Sequence, residues 1–597
     1  MEKLKNIVRS FKLPKKSEVK SAFYSFSKKE KIIFIGLALV LFICTIAILE
    51  NINKSFMVAV PARGGSLSEG IIGTPRFASP VLAISDADKD LVSLVYSGLM
   101  RKNPDGELIP DLAENYTISP DGLTYTFTLK NKIYFQDGKP VTANDVVFTI
   151  NEIKDPVIKS PLKGNWDGIN VEKIDDQTVK FTLKQPYSSF LENATVGIMP
   201  ESLWSGSPLE LNSANTNPIG SGPFKVLNVN KQSSGIIDSY TLSSFNKFAL
   251  GNPYLGKIIL HFYSNEDDMI SALRNGTVDQ VSSITPANAE ILREENYQID
   301  SAVLPRVFGL FFNQNQAKIF TDKNVVKAIN LAINKDNIIK QVLAGYGVVI
   351  NDPIPPNMMA YQKLSETNNA SYEENVAQAK NILAKDGWKM GADGFLTKNT
   401  TSTKKITVKG KTTTKTTTIT GSSDLGFSIS TGNTPEIAES ANLIAQDLAK
   451  IGIKVDVKTF EIGDLNQIVI RPRKYDALLF GEIINHESDL FAFWHSSQRK
   501  DPGLNVAMYA NAKVDKLLED ASITINDKAR VLKYAQFENQ IEQDMPAVFL
   551  YSPDFIYVVS KNLEGLSTDH IVSTSDRFSN SYLWYTETND VWKIFVK

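Results

Sequence analysis

Leu123, Tyr125, Phe127 and Leu129 alternate with Thr124, Thr126 and Thr128, a period of two that a half-buried β-strand satisfies and a helix does not. Pro120-Asp121-Gly122 before the run and Asp137-Gly138 after it are turn chemistry. Thr142, with Asp145 three residues on, resembles a capping box and predicts a helix that buries Val146, Ile150 and Ile153. Strands with turns dominate to about residue 305, for example Thr178–Leu183, 224–229 and 258–262. Helices and strands alternate from there. Residues 322–333 place Val326, Ile329 and Ile333 on one face, and a second helix over 338–343 ends at Gly345. Thr434-Pro435 opens a helix to Lys450, Gly452 stops it, and Ile453, Val455 and Val457 begin a strand. That is helix-to-parallel-strand logic, and the fold class it implies is α/β. A late helix carries Tyr534, Phe537, Ile541 and Met545 and is ended by Pro546. Only 399–423, mostly Thr and Lys, breaks the pattern. It reads as a surface insertion whose weak alternation permits an exposed hairpin around Gly410.

The N-terminal region constrains location. Residues 1–31 carry ten Lys/Arg against three Glu, and the eighteen residues from Ile32 to Leu49 carry no charge. As a helix this run is about 27 Å long, close to a bilayer's hydrocarbon core. A cleaved secretory signal is the alternative, but Leu49-Glu50-Asn51-Ile52 offers no small-residue cleavage site. Cys44, the only cysteine, follows Ile43, where lipid attachment wants Gly, Ala or Ser. The expectation is a basic cytoplasmic arm (1–31), an uncleaved transmembrane signal anchor (32–49) and a linker (50–62). By the positive-inside rule this is a single-pass chain of the cell membrane, N-terminus inside and binding domain outside. The arm, with Phe11, Phe23, Tyr24 and Phe26 among its lysines, reads as a topology signal and an anionic-lipid contact, a specific cytoplasmic partner being the alternative. With no cysteine past Cys44, the exported part has no disulfide and stands on its core.

Catalysis finds little support. There is no G-x-S-x-G, G-x-x-x-x-G-K-[ST] or H-E-x-x-H, and His486-Glu487 lacks the second histidine of a zincin. His261, His495 and His570 are scattered without metal-ligand spacing. Gly220-Ser221-Gly222 reads as a tight turn rather than a phosphate loop, since Pro223 removes an N–H that a phosphate nest would use. No cofactor or metal is expected, and a net charge of −2 gives no reason to expect nucleic acid.

Gly98-Leu99, Gly106, Pro110 and Leu112-Ala113-Glu114, followed by the strand–turn–helix block to Ile150, resemble the start of the extracytoplasmic solute-binding proteins of family 5, the peptide/nickel-binding group of ABC importers. Asn217 to Phe224, Ala272 to Asp279, Phe320-Thr321-Asp322, Gly387-Trp388, Tyr475-Asp476-Ala477 and Met545-Pro546 continue the resemblance from about residue 65 onward. It implies a two-lobed clamshell of the periplasmic-binding-protein type, large and peptide-binding, with an extra subdomain. Lobe I would comprise 56–95, 218–305 and 546–597, its subdomain 96–217, and lobe II 306–545. The implied function is capture of oligopeptides in an interlobe cleft and delivery to ABC permease subunits with their ATPases, by a monomeric ectodomain. Nickel chelates and oligosaccharides are alternative cargoes, and an anchored receptor or scaffold without transport is a further alternative.

Two segments are expected to face the ligand. In peptide-binding relatives the loop before the Gly-Leu pair offers main-chain groups to an extended peptide, which maps here to Ser85 and Asp86; for Asp86 a helix N-cap is the competing reading. The second is Phe480, Gly481, Glu482, Asn485, Glu487 and Asp489, similar to a family loop whose aspartate binds the peptide ammonium. Asn485 stands in that aspartate's place. The expectation is an acidic cleft in which Glu482, Glu487 or Asp489 substitutes, with solvated loop acids as the alternative. Trp494 is a candidate cleft aromatic with core packing equally open, and Trp388 is read as core.

Overall fold

The computed structural model describes residues 15–361, 370–403, 406–408, 411–413 and 418–596, with side chains described outside 400–422. The chain divides into two compact units, 1–62 with 587–597, and 63–586. The first fourteen residues of the basic arm, Phe11 among them, and the turn at Gly410 lie outside the described residues.

In the smaller unit, Ser27 and Glu30 close a capping box at the start of the helix Lys28–Ser55, whose most apolar window has a mean hydropathy of 3.2 and is not buried by protein. The expected linker at 50–62 is therefore not one element. The helix runs on through Ser55, with Glu50 and Lys54 paired at 3.1 Å across one turn. Strand Met57–Pro61 follows and pairs antiparallel with Thr588–Trp592. Residues 56–62 and 587–597, expected in lobe I, belong to this unit instead.

The larger unit is two-lobed. Its main sheet runs, in order, Phe224–Lys231, Ile237–Ser244, Leu255–Tyr263, Gly64–Ile72, Gln280–Ser282, Ala547–Val559, Arg306–Phe312, Ala477–Ile483, Gly426–Gly432 and Lys454–Phe460. Ala547–Val559 is the shared strand. Its residues 547–551 pair with Arg306–Phe312, and 554–559 pair with Gln298–Val303. The side chains change cores with it. Val548 and Leu550 pack on one face of the second lobe, Ala547 and Phe549 on the other, while Phe555 and Tyr557 enter the first-lobe core. The expected return to lobe I at residue 546 thus falls too early, because the crossing lies inside a continuous strand near Ser552-Pro553.

Alternation explains why the second-lobe sheet is covered twice. In Arg306–Phe312, Leu310 and Phe312 face one cluster, and Val307 and Phe311 face the other. In the subdomain, Ala113–Ile118, Thr124–Leu129, Thr178–Leu183 and Ile169–Lys173 form an antiparallel sheet, with Tyr125, Phe127 and Leu129 buried. The helix Ala143–Lys154 starts at the Thr142–Asp145 capping box and buries Val146, Ile150 and Ile153, as the spacing predicts. Gly220 and Gly222 press onto Val95 so closely that a Cβ would strike its carbonyl; Gly222 N–H donates to that oxygen at 2.8 Å. In the insertion, Leu396–Thr403 pairs with Thr418–Asp424, and Ile406–Val408 with Lys411–Thr413.

Candidate functional site: a cavity between the lobes

The helix Asp86–Val95 and the loop after Ala477–Ile483 approach from opposite lobes. Between them lies a cavity of about 360 Å³, near the lower end of the range for small-ligand sites. Its first-lobe wall holds Lys89, Val92, Tyr96, Arg101 and Lys102, and the second lobe contributes Asn485 and His486. Glu192 of the subdomain completes the rim and forms an ion pair with His486 Nδ1. Burial works against the imidazolium, yet the hydrogen bond and charge of Glu192 outweigh it and hold the His486 pKa above its ordinary value. Burial likewise disfavours the Glu192 carboxylate, and His486 outweighs it, keeping that pKa low. Two further contacts cross nearby: Ser188 N–H donates to Ser522 O at 2.9 Å, and Tyr187 meets Ser488 at 3.4 Å. Gly122 also sits so close to Ile525 that a side chain there would collide.

The expected site residues distribute differently. Ser85 caps its own helix: its hydroxyl accepts from Asp88 N–H at 3.1 Å, its N–H donates to Asp88 Oδ2 at 3.2 Å, and its carbonyl accepts from Lys89 N–H at 3.0 Å. The Ser85 N–H and hydroxyl are thus engaged in its own cap. Asp86 is exposed in the first turn, so Ser85, not Asp86, is the N-cap; Asp86 lines a separate cavity with Ile71, Asp90 and Thr574.

In the second segment only Asn485 reaches the interlobe cavity. The strand Ala477–Ile483 includes Phe480, Gly481 and Glu482, so these are strand residues and not loop. Phe480 packs against the core containing Trp494, and Gly481 is needed because the Phe308 ring lies against it. Glu482 is 1% exposed, and burial alone pushes its carboxyl far up. Glu487 accepts from Ala360 N–H at 2.8 Å and faces Arg530 at 3.4 Å. Asp489 accepts from the N–H groups of Asn485 and His486 at 2.9 and 3.0 Å, bracing its own loop. Burial raises the pKa of both, against Arg530 in one case and His486 in the other. Glu487 and Asp489 are thus engaged in local structure, Glu482 is buried in the strand, and the cavity carries Lys89, Arg101 and Lys102 beside Glu192 and Asp576. Trp494 is fully buried against Phe311, Tyr509, Phe537 and Phe549, which assigns it to the core. Trp388 is core as well.

Residues 107–503 match the model of the bacterial extracellular solute-binding proteins, family 5. The chain belongs to that family. It is 30% identical over 541 residues to the oligopeptide-binding protein AppA of Bacillus subtilis, covering 89% of this chain and 94% of the relative. The structure of that protein with a nonapeptide superposes with a TM-score of 0.64 at 28% identity, over 88% of this chain and 99% of that one. NikZ from Campylobacter jejuni, in complex with Ni(L-His), superposes with a TM-score of 0.65 at 27% identity, over 87% and 99%. In this family 5 chain, among the described residues, no three His, Cys, Asp or Glu are grouped to hold a metal ion.

The Glu192–His486 pair gives a prediction. A raised histidine pKa means its contribution is full below the ordinary value and is lost as pH rises through the raised one. A lowered carboxylate pKa means the contribution is lost only as pH falls through the lowered value. The contact therefore holds between those two limits. His486→Ala should remove about 1–2 kcal/mol from the arrangement in which Glu192 and His486 meet, a five- to thirty-fold change in its population relative to one in which they are apart. Small-angle scattering should show a larger radius of gyration for the variant at neutral pH. Unchanged profiles would mean the pair does not govern closure.

Proposed function

We propose that this protein captures oligopeptides outside the cell, in the cavity between its lobes, and hands them to an ABC permease while its N-terminal helix holds it to the membrane. One observation carries the reading: the cavity has walls from both lobes, and those walls carry both signs of charge beside the apolar faces of Val92 and Tyr96. A peptide needs that combination, with cations for its carboxylate, carbonyl and carboxylate oxygens for its ammonium, and apolar surface for side chains. A ligand touching both walls favours the closed state by its differential contacts. The oligopeptide-binding relative supports the same cargo. The eighteen-residue uncharged run inside an unburied helix, behind a basic arm, supports the anchor.

Titration calorimetry with a peptide pool tests the assignment, and heat together with ligand-induced compaction is the expected result. No heat with any peptide would remove it. The cavity's size favours short peptides over long ones, so affinity should fall as length is added. Asn485, the loop residue that does face the cavity, supplies a sharper test. Asn485→Asp should tighten free-amine peptides about ten- to hundred-fold, the value of one charge-assisted contact. N-acetylated peptides should respond little. Equal effects on both would show that the ammonium does not bind at this loop.

A further inference from the structure

In the smaller unit, the segment after Thr588–Trp592 turns back onto the end of the long helix. Lys593 N–H donates to Phe56 O at 2.9 Å, and the Trp592 indole N–H donates to Asn53 Oδ1 at 2.9 Å. These bonds fix the segment without burying it. Trp592 remains 46% exposed, Phe56 58%, Ile594 76% and Phe595 75%. Leu49 and Ile52 on the last apolar turns of the helix are also exposed, and they share a groove with Trp592 and Ile594. The apolar surface is thus continuous from the uncharged run into the returning segment. Lys593 lines the same groove.

We infer that 592–596 forms, with Phe56 and the end of the helix, an interfacial collar that inserts into the outer face of the same bilayer the helix crosses. The occupant is lipid, and continuity decides it: any membrane that covers Ile32 to Leu49 brings its headgroup level to the turn where Ile52, Phe56 and Trp592 emerge. Tryptophan with its N–H satisfied and its ring uncovered, phenylalanine and a flanking lysine are the residues suited to that level. The antiparallel pairing of Met57–Pro61 with Thr588–Trp592 then ties the two chain segments together at the surface. Both segments of the smaller unit would then carry lipid contacts. This inference rests on the membrane-anchor reading above.

The distribution of tryptophan makes the test direct. Of six in the chain, Trp166, Trp204, Trp388, Trp494 and Trp584 are buried in the larger unit, so a quencher in the membrane reaches Trp592 alone. The full chain is reconstituted in phosphatidylcholine/phosphatidylglycerol vesicles, with and without lipids brominated high on their acyl chains. Trp592 emission, taken as the difference between wild type and Trp592→Phe, should fall about twofold with brominated lipid and resist aqueous iodide. The pair Ile594→Asp and Phe595→Asp should reverse that pattern. If Trp592 responds to iodide and not to bromine while the protein resists alkaline carbonate extraction, the collar is wrong and the anchor stands. If neither quencher reaches Trp592, protein covers it, a second copy being one candidate, and the collar is again wrong. Extraction by carbonate would remove the anchor reading itself.

Discussion

Arg577→Met should destabilise the protein by about 3–5 kcal/mol, the usual consequence of stripping one partner from a buried ionic cluster. The guanidinium is wholly buried between Glu69 and Asp90. It donates to Glu69 Oε1 at 2.9 and 2.7 Å, to Asp90 at 2.9 and 2.7 Å, and to Thr574 O at 2.6 Å. Glu69 also accepts from Tyr557 and Gln280 at 2.8 and 2.7 Å, so the cluster ties the first strand of the lobe to the shared strand. Burial pushes the Asp90 carboxyl up to about 6 even with Arg577 beside it. Without the cation, two carboxylates would remain in a dry site. Urea titration at neutral pH should show the loss, and lowering the pH toward 5 should recover part of it as the Asp90 carboxyl protonates. A shift in stability below about 1 kcal/mol would contradict the argument.

The second large effect concerns pH. Glu538, on the helix Asp527–Asp544, is 4% exposed and faces Asp352. Burial, and then the charge of Asp352, pushes the Glu538 carboxyl up to about 9. Burial lifts Asp352 to about 6 against the pull of Lys335, and burial lowers Lys335 to about 8. The folded state therefore holds a proton on Glu538 that the unfolded chain releases above the ordinary value near 4.5. Stability from this group is full at acid pH and declines as pH rises toward 9. Asp352 acts in the same direction but only below about 6. Lys335, its pKa depressed, acts in the opposite direction from about 8 upward. Between pH 6 and pH 8 Glu538 dominates the cluster, at about 1.4 kcal/mol per pH unit. Glu538→Gln, isosteric and without a titrating proton, should flatten the profile by about 2–3 kcal/mol across that window. Parallel profiles for the two proteins would refute a buried neutral Glu538.

Local chemistry was legible in the sequence wherever a few neighbouring residues decide the outcome. The Thr142–Asp145 box, the alternation from Tyr125 to Leu129 and the apolar face of the helix Ala143–Lys154 all depend on neighbours within one or two turns. Family membership was legible for the same reason, because its motifs are short. The site was less so. Glu482 reads as a loop acid because nothing short-range marks it as strand; its place in the sheet comes from pairing with Arg306–Phe312, well over a hundred residues earlier. Asp489 resembled a ligand group although its partners are amides three and four residues away. Glu192 and His486 attracted no attention as a pair, since sequence spacing carries no trace of a contact across the two lobes.

The shared strand also dictates a timetable. Ala547–Val559 lies in the middle of the main sheet, between Gln280–Ser282 on one side and Arg306–Phe312 on the other. Until it arrives, each lobe has an open edge where its neighbour should be, and Glu69 and Asp90 wait for a counter-ion 508 and 487 residues downstream. Neither half can complete its sheet before the strand Ala547–Val559 has been made, and unpaired edges of this kind invite the wrong partners. The stretch from Ala547 to Arg577 therefore acts as a closing key, and truncations that remove it should yield aggregates of the whole chain rather than one intact lobe and one damaged one.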